Sequence, residues 1–320
     1  MPVAQLLMFM LVVTMTFFGA GMIYAQEFPY KPIRIVTTAP GGGSDAAARL
    51  IAQGLTGALG QQVIVDNRAG GVVAVENVAK AQPDGYTVLL YANSMWIAPF
   101  LQQVSYDPVK DFSPITLAAV SPNMLVVHPS VAVNSVNELI ALASARPGEL
   151  NYGSSGTGSS THLAAELFKA MAHVNIVRVS YKAAGPVIND LMGGQIQMMF
   201  ATIGSVAPHV KSGRLKALGV TTSKPSALVP SMPTVAAAGL PGYESAAIIA
   251  IFAPAKALAP VTKRLNQEIV RVLNQPDLKE KFLRIGIEPV ASSPEALTAA
   301  MRSEMARLGR VIKEAGIRAE

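Results

Sequence analysis

The 320-residue chain contains no cysteine. That excludes a disulfide framework, a thiolate metal site, a cysteine nucleophile and a lipid-modified cysteine anchor. Histidine is scarce as well: His128, His162, His173 and His209 stand apart, with no H-x-x-x-H pair around which a metal site could form. Charged residues make up 14% and aromatic residues 6%, and there is no Lys/Arg cluster. The formal net charge of +6 therefore describes a mildly basic surface, compatible with small anions but giving no reason to expect nucleic acid. The glycine run at 41–43 lacks Gly-Lys-Ser/Thr, which excludes a P-loop there. Ser154 and Ser155 do not sit in G-x-S-x-G, so no nucleophile elbow is supported.

What is present is apolar: hydrophobic residues reach 51%, ample core for two α/β domains or one large one. Met1 to Ala25 carries no charge, has an apolar run from Leu6 to Phe18, and ends Ile23-Tyr24-Ala25 before Gln26-Glu27. This predicts a secretory signal cleaved after Ala25 and a periplasmic mature protein. The region before the apolar run lacks the usual Lys or Arg. An uncleaved anchor is the competing reading, but the run is short for a full span once Thr14, Thr16 and the Gly19–Gly21 end are counted.

Ile33 to Thr37 is a β-branched run that predicts a strand. Pro40-Gly41-Gly42-Gly43 predicts a tight loop, and Ser44 or Asp45 the cap of a helix with apolar residues at 47, 50, 51 and 55. The first-turn amides of such a helix face whatever sits in the loop and, with the helix dipole, favour an anion. A plain βα turn reads the same way. A second small-residue loop, Gly153-Ser154-Ser155-Gly156-Thr157-Gly158-Ser159-Ser160, favours binding. It lies between a strand at 150–152 and a helix bearing Leu163, Leu167, Phe168 and Met171.

Residues 33–91 read β-α-β-α-β, hence parallel strands with right-handed crossovers. Asn93-Ser94 follow the third strand, at the edge where open α/β sheets bind ligands. Residues 100–114 read as irregular. Apolar runs at 115–120 and 124–127 are split by Ser121-Pro122-Asn123, where the proline argues for a break and a first crossing between domains. A helix at 136–146 leads into a second α/β domain, with strands at 176–180, 196–200 and 215–221 and helices at 186–192 and 206–211. A short helix at 234–238 precedes an apolar strand at 248–252, the return crossing. Helices at 261–274, 277–285 and 294–315, with a short strand at 288–290, should pack back on the first domain. The expected fold is α/β, two parallel-rich mixed sheets joined by two crossover segments. Residues 26–121 and 247–320 form one domain and 122–246 the other.

One enzymatic reading fits the first loop. Gly41-Gly42-Gly43-Ser44-Asp45-Ala46 matches G-x-G-x-x-A, and Asp66 stands about twenty residues on, where a ribose-binding carboxylate of a nicotinamide site would lie. An export signal counts against it, and Asp66 reads equally as a strand-end residue. If the two domains face each other, both loops converge on one cleft of amides and small hydroxyls, without a nucleophile or acid–base pair. A carboxylate could be held there from both walls, partly through water. The candidate ligand-binding residues are Pro40, Gly41, Gly42, Gly43, Ser44 and Asp45 on one wall, with Asn93 and Ser94. On the other wall they are Ser154, Ser155, Gly156, Thr157, Gly158 and Ser159, with His162, Tyr181, Lys182 and Thr202. His162 reads equally as a local cap partner, and Lys182 as a solvated loop lysine. Met192, Met198 and Met199 read as core.

Several runs together resemble a known family. They are Tyr30-Lys31-Pro32-Ile33-Arg34-Ile35-Val36, Ala39-Pro40-Gly41-Gly42-Gly43-Ser44-Asp45, Leu59-Gly60-Gln61-Gln62-Val63, Asp66-Asn67-Arg68, Pro83-Asp84-Gly85-Tyr86 and Tyr106-Asp107-Pro108. Tyr152-Gly153-Ser154, His162-Leu163-Ala164, Tyr181-Lys182, Pro233-Thr234-Val235, Gly239-Leu240-Pro241-Gly242-Tyr243-Glu244 and Ala253-Pro254 continue the match. In order and over the whole mature chain, they resemble Bug/TctC-type solute-binding proteins of tripartite tricarboxylate transporters. The resemblance implies a type II, two-domain Venus flytrap fold, no catalysis and no cofactor. It also implies a monomer that delivers a small carboxylate to a membrane permease, or presents it to a sensor kinase. It further implies that the loops at 40–45 and 154–159 grip a ligand carboxylate from opposite walls. The chain departs from the family pattern at Ala183 (usually Gly), Gln197 (commonly Asp), Ala237 (usually Glu), Ile248 (usually Trp) and Lys256-Ala257-Leu258 (usually Gly-Thr-Pro).

Overall fold

The computed structural model describes residues 28–69 and 72–318. The signal segment expected at 1–25 lies outside the described residues, as do Gly70 and Gly71 of the turn after Asn67. Strands β1 (Ile33–Thr37), β2 (Val63–Asn67) and β3 (Thr87–Ala92) run parallel, with helices α1 (Gly43–Leu59) and α2 (Val73–Ala79) as crossovers. Helix α1 buries Ala47, Ala48, Ile51, Ala52, Leu55 and Leu59, the i, i+4 stripe of a one-sided helix, and stops at Gly60 in the left-handed region.

Helix α3 (Ser94–Leu101) was not anticipated; its Pro99 argues against a helix in sequence. Pro99 removes the amide that would bond the Met95 carbonyl four residues back. The Tyr106 hydroxyl donates to that carbonyl instead, at 2.7 Å.

Strand β4 (Phe112–Val127) corrects the expected break at Ser121-Pro122-Asn123. It runs unbroken, pairing antiparallel with β9 (Ala246–Pro254) as far as Pro122 opposite Ala246, and with β7 (Met198–Thr202) from Asn123 onward. The missing proline amide thus falls where the strand changes partner, the position at which a sheet tolerates it. The second half adds β5 (Asn151–Ser155), β6 (Val177–Tyr181) and β8 (Lys216–Val220), with helices α4 (Val136–Ala145), α5 (Ser160–Ala172), α6 (Ala184–Met192) and α7 (Ile203–Lys211). Strand β5 is parallel to β6 and β7. Because β4 serves both halves, the order runs β2-β1-β3-β9-β4-β7-β5-β6, with β8 and the short β10 (Glu288–Pro289) also on β4.

The helix expected at 234–238 is a turn. Val220 N donates to the Pro233 carbonyl and Val235 N to the Val220 carbonyl, which draws this segment onto the sheet beside β8. The last helices, α8 (Ala259–Leu273), α9 (Pro276–Arg284) and α10 (Pro294–Glu314), do return to the first half. Helix α8 packs on α1 and β4, while α10 packs on β4, α3 and also α5. Two aromatic groups lie within one continuous core. Phe252 meets Trp96 and Phe112 edge-on, and Phe168 meets Phe200 and Tyr243, with centroids 5.7–6.1 Å apart. Such pairs add about 0.5–1.5 kcal/mol each beyond area burial.

Candidate functional site

Strands β1, β3, β5 and β7 each lead at their C-terminal end into a helix: α1, α3, α5 and α7. The N-termini of α1 and α7 flank a cavity of about 490 Å³ lined by Gly43, Ser44, Ser121, Thr202, Gly204, Ser205, Ala247 and residues 284–287. The N-termini of α3 and α5 flank a neighbouring cavity of about 150 Å³ lined by Asn93, Ser94, Gly158, Ser159, Ser160, Ser245 and Ala246, among others. Ala92 and Ala247 line both. Neither described lining includes Asp or Glu, and Arg284 is its one charged residue. First-turn amides have no intrahelical acceptor, and each helix N-terminus carries roughly half a positive charge. Two acid-free cavities edged by four such termini favour anions, with Arg284 set against the negative C-terminal end of α9 (Pro276–Arg284) in the larger one.

The first wall is built around Asp45. Gly42, extended at φ −91° and ψ 172°, is the N-cap and the helix starts at Gly43. This corrects the expectation of a Ser44 or Asp45 cap: both residues lie in the first turn. From that turn the Asp45 carboxylate reaches back to accept from Gly41 N at 2.9 Å, as in a capping box. It also accepts from Asn67 Nδ2 at 2.8 Å and pairs with Arg49 at 3.0 Å. Asn67 in turn donates to the Thr38 carbonyl, so the loop is tied at both ends. Burial alone would raise the Asp45 carboxyl. The Gly41 amide, Asn67 and Arg49 outweigh it and hold the group below its ordinary value. Gly41 sits at φ +92°, which requires glycine for conformation rather than space. Asp66, the candidate ribose ligand, is engaged by Arg68 at 2.8 Å and Arg34 at 3.5 Å.

The second wall is held from beneath. Ser159 is the N-cap of α5 and its hydroxyl accepts from His162 N. The buried His162 ring accepts from Gly158 N at Nδ1, 3.0 Å away, so His162 serves as the local cap partner. Burial, and next the Arg178 charge, push the imidazole down to about 4, keeping it neutral as that bond requires.

A family model described as the tripartite tricarboxylate transporter family receptor (TctC) matches residues 47–317. The chain belongs to the TctC family. Protein BugT of Bordetella pertussis is 33% identical over 93% of each chain. An R. palustris protein solved with adipate is 36% identical, covering 91% of this chain and 99% of that one, with a TM-score of 0.75. MatC of Rhodopseudomonas palustris, solved with malate, is 28% identical, covering 89% of this chain and 100% of that one, with a TM-score of 0.71. TctC proteins are periplasmic solute-binding proteins, and the family and fold are those of binding proteins rather than enzymes.

Of the residues expected to bind, Gly43, Ser44 and Thr202 line the larger cavity, and Asn93, Ser94, Gly158 and Ser159 the smaller. Asn93 is buried there. Its side chain donates to Glu304 at 2.8 Å and to the Ala246 carbonyl. Pro40, Gly41, Gly42, Asp45, Ser154, Ser155, Gly156, His162, Tyr181 and Lys182 line neither cavity. Ser154 is fully buried, the Tyr181 hydroxyl donates to Asp190, and Lys182 is exposed. The departures from the TctC pattern lie outside both linings too. Ala183 caps α6 at φ −153°, which needs no glycine, and Gln197 accepts from Asn151 N at 2.9 Å. Lys256 holds φ +65°, a conformation that favours the glycine usual there.

Sequence reasoning missed Ser205, Gly204 and Gly286 in the larger cavity, and Arg178 on β6. Thr202, an N-cap residue type directly after a strand, was an available signal for a helix start. Arg178 had none, because it meets the loop only across the β5–β6 pair. Its Nε donates to Ser154 Oγ at 3.0 Å, its Nη1 and Nη2 to Thr157 Oγ1 at 3.2 Å, and Nη2 to Ser180 Oγ at 3.2 Å. A hydroxyl that accepts from a guanidinium must turn its own hydrogen elsewhere, so these oxygens become donors away from Arg178. Arg178→Met is expected to loosen the loop and weaken carboxylate binding at least tenfold, with Arg178→Lys recovering part of it. Calorimetric titration of both variants reads this out, and equal affinities in wild type and Arg178→Met would refute it.

Proposed function

We propose that this chain captures a small organic carboxylate in the paired cavities and delivers it to a tripartite tricarboxylate-type membrane permease, without chemical change to the ligand. The observation that carries the reading is the set of four helix N-termini, two from each half, around linings free of carboxylates. A carboxylate would accept from the first-turn amides of α1 and α7, or of α3 and α5, with Ser44, Ser159 and Ser205 at hand. Adipate and malate in the two R. palustris structures are ligands of the same chemistry. The halves, 26–121 with 247–320 and 122–246, would close about β4 and β9. Ser121 and Ala247 stand both at those crossings and in the lining, so ligand and hinge would meet directly. The protein acts as a periplasmic monomer in this reading.

A thermal-shift screen of the mature protein tests it. Malate and adipate are expected to raise the midpoint, because a ligand at a hundred times its Kd adds about 2.7 kcal/mol to stability. Their uncharged diamides are expected to do nothing. Equal shifts from acids and diamides would remove the anion argument.

A further inference from the structure

We propose that Glu304, a buried carboxylate on α10, is a positioning residue for the smaller cavity: it holds the Asn93 side chain away from its own helix, so that the first turn of α3 is left to the ligand. The inference rests on the carboxylate reading above. Glu304 lines neither cavity and is 3% exposed. Both its oxygens are engaged by the start of α3. Asn93 Nδ2 donates to one at 2.8 Å and Trp96 Nε1 to the other at 2.7 Å. Asn93 Nδ2 also donates to the Ala246 carbonyl at 3.1 Å, and Asn93 N to the Ile248 carbonyl at 2.8 Å. The first turn of α3 is thereby fastened to α10 and to β9. Burial lifts the Glu304 carboxyl above its ordinary value, against the pull of the Asn93 and Trp96 bonds and the Arg307 charge. A buried carboxylate is costly unless it is bonded, and these two donors offset that cost.

Asn93 is the N-cap of α3. Asparagine is among the preferred capping residues, and its side-chain oxygen ordinarily accepts from the amide two or three residues on. Trp96 N already donates to the Asn93 carbonyl at 3.1 Å, which leaves Met95 N as the amide at stake. Yet Asn93 makes no side-chain cap bond and keeps a helical backbone, φ −57° and ψ −15°. Its two bonds from Nδ2, to Glu304 and to Ala246, fix the orientation of the amide. Helix α5, across the cavity, is the contrast: the Ser159 hydroxyl does cap it, accepting from His162 N. Without Glu304 the Asn93 side chain is free to cap α3 itself, and an amide bonded to Oδ1 is lost to a ligand.

Trp96 gives the test its signal. It is the only tryptophan of the chain, it is fully buried, and its indole N–H ends on Glu304. Calorimetric titrations with malate and adipate, paired with tryptophan emission, compare the mature wild type with three variants. Glu304→Gln keeps one oxygen for the Trp96 indole but sets a donor against Asn93 Nδ2. It should weaken binding about tenfold and reduce the change in emission that the acid causes in wild type. Asn93→Ser retains a capping residue too short to reach Glu304, and Asn93→Ala can neither cap nor reach. Asn93→Ala should therefore bind severalfold more tightly than Asn93→Ser, the reverse of what helix stability alone dictates. That pair decides the matter even if Glu304→Gln fails to fold. Wild-type affinity in Glu304→Gln overturns the inference and leaves the carboxylate reading intact. So does Asn93→Ser binding as tightly as Asn93→Ala. If neither acid binds the wild type, the carboxylate reading falls first and takes the inference with it.

Discussion

Acidification from pH 7 to pH 4 is expected to remove about 3 kcal/mol of folding stability through His162 alone. The folded-state value is about 4 against an ordinary 6.5. Between those two values the unfolded chain takes up a proton that the folded chain refuses, so stability falls as the pH drops through that window and is level below it. Burial is the largest cause. Arg178 and Lys169 repel the imidazolium further, and Glu166 opposes them. The cost has a structural address. Nδ1 must stay unprotonated to accept from Gly158 N, so protonation breaks the bond that shapes the second loop and should loosen ligand binding in the same window. Urea titrations at half-unit pH steps on wild type and His162→Gln isolate the contribution, because every other titrating group is common to both. The variant's stability should change less between pH 6.5 and 4 by about 3 kcal/mol. Parallel curves would show that His162 titrates normally and that burial does not set its state.

Periodicity and punctuation made most of the fold legible. The β-branched run at 33–37, the glycine loop after it and the spacing of 47, 51 and 55 gave β1 and α1 almost to the residue. All four turns that lead into the site helices were also among the candidates, at 40–45, 93–94, 154–159 and 202. What sequence could not supply was which turn faces which. It paired the two glycine-rich loops, which in the structure border adjoining cavities that share Ala92 and Ala247. In the structure Gly43 and Ser44 share a cavity with Thr202, and Asn93 and Ser94 share one with Gly158 and Ser159. That pairing follows from the strand order, with β9 and β4 placed between β3 and β7, and strand order is a long-range property. The helix missed around Pro99 and the break misread at Pro122 have the same origin. Pro99 is tolerated because Tyr106 satisfies the carbonyl it frees, and Pro122 because β4 changes partners there. Asn123, next to it, is fully buried on β4 opposite Thr202, and neither side-chain amide atom has a hydrogen-bond partner among the described residues. No local pattern announces such a residue.

Asp45→Ala should be the most damaging single change on the first wall, costing roughly 2–4 kcal/mol. The residue is 5% exposed, and its carboxylate accepts two hydrogen bonds, one from Gly41 N and one from Asn67 Nδ2, besides pairing with Arg49. Truncation leaves Asn67 Nδ2 with only the Thr38 carbonyl and takes from the Gly41 amide the acceptor that holds the loop. The loss therefore concentrates in the loop that aims the α1 amides at the larger cavity. For a protein of this size the melting midpoint should fall by roughly 5–10 °C. Carboxylate affinity should fall by more than tenfold, since the amides must be ordered again when the ligand binds. Asp45→Asn separates charge from shape. Its side-chain oxygen can still accept from Gly41, so it should recover much of the stability while losing the Arg49 pair, which at a half-exposed arginine is worth at most about 1 kcal/mol. The pH dependence has the opposite origin to that of His162. The Asp45 value is depressed, so its contribution is present above about pH 4 and disappears as the pH falls through the lowered folded-state value. Thermal melts and calorimetric titrations of both variants decide the matter. If Asp45→Ala melts with wild type and binds as tightly, the glycine loop holds its own shape and the carboxylate beneath it is incidental.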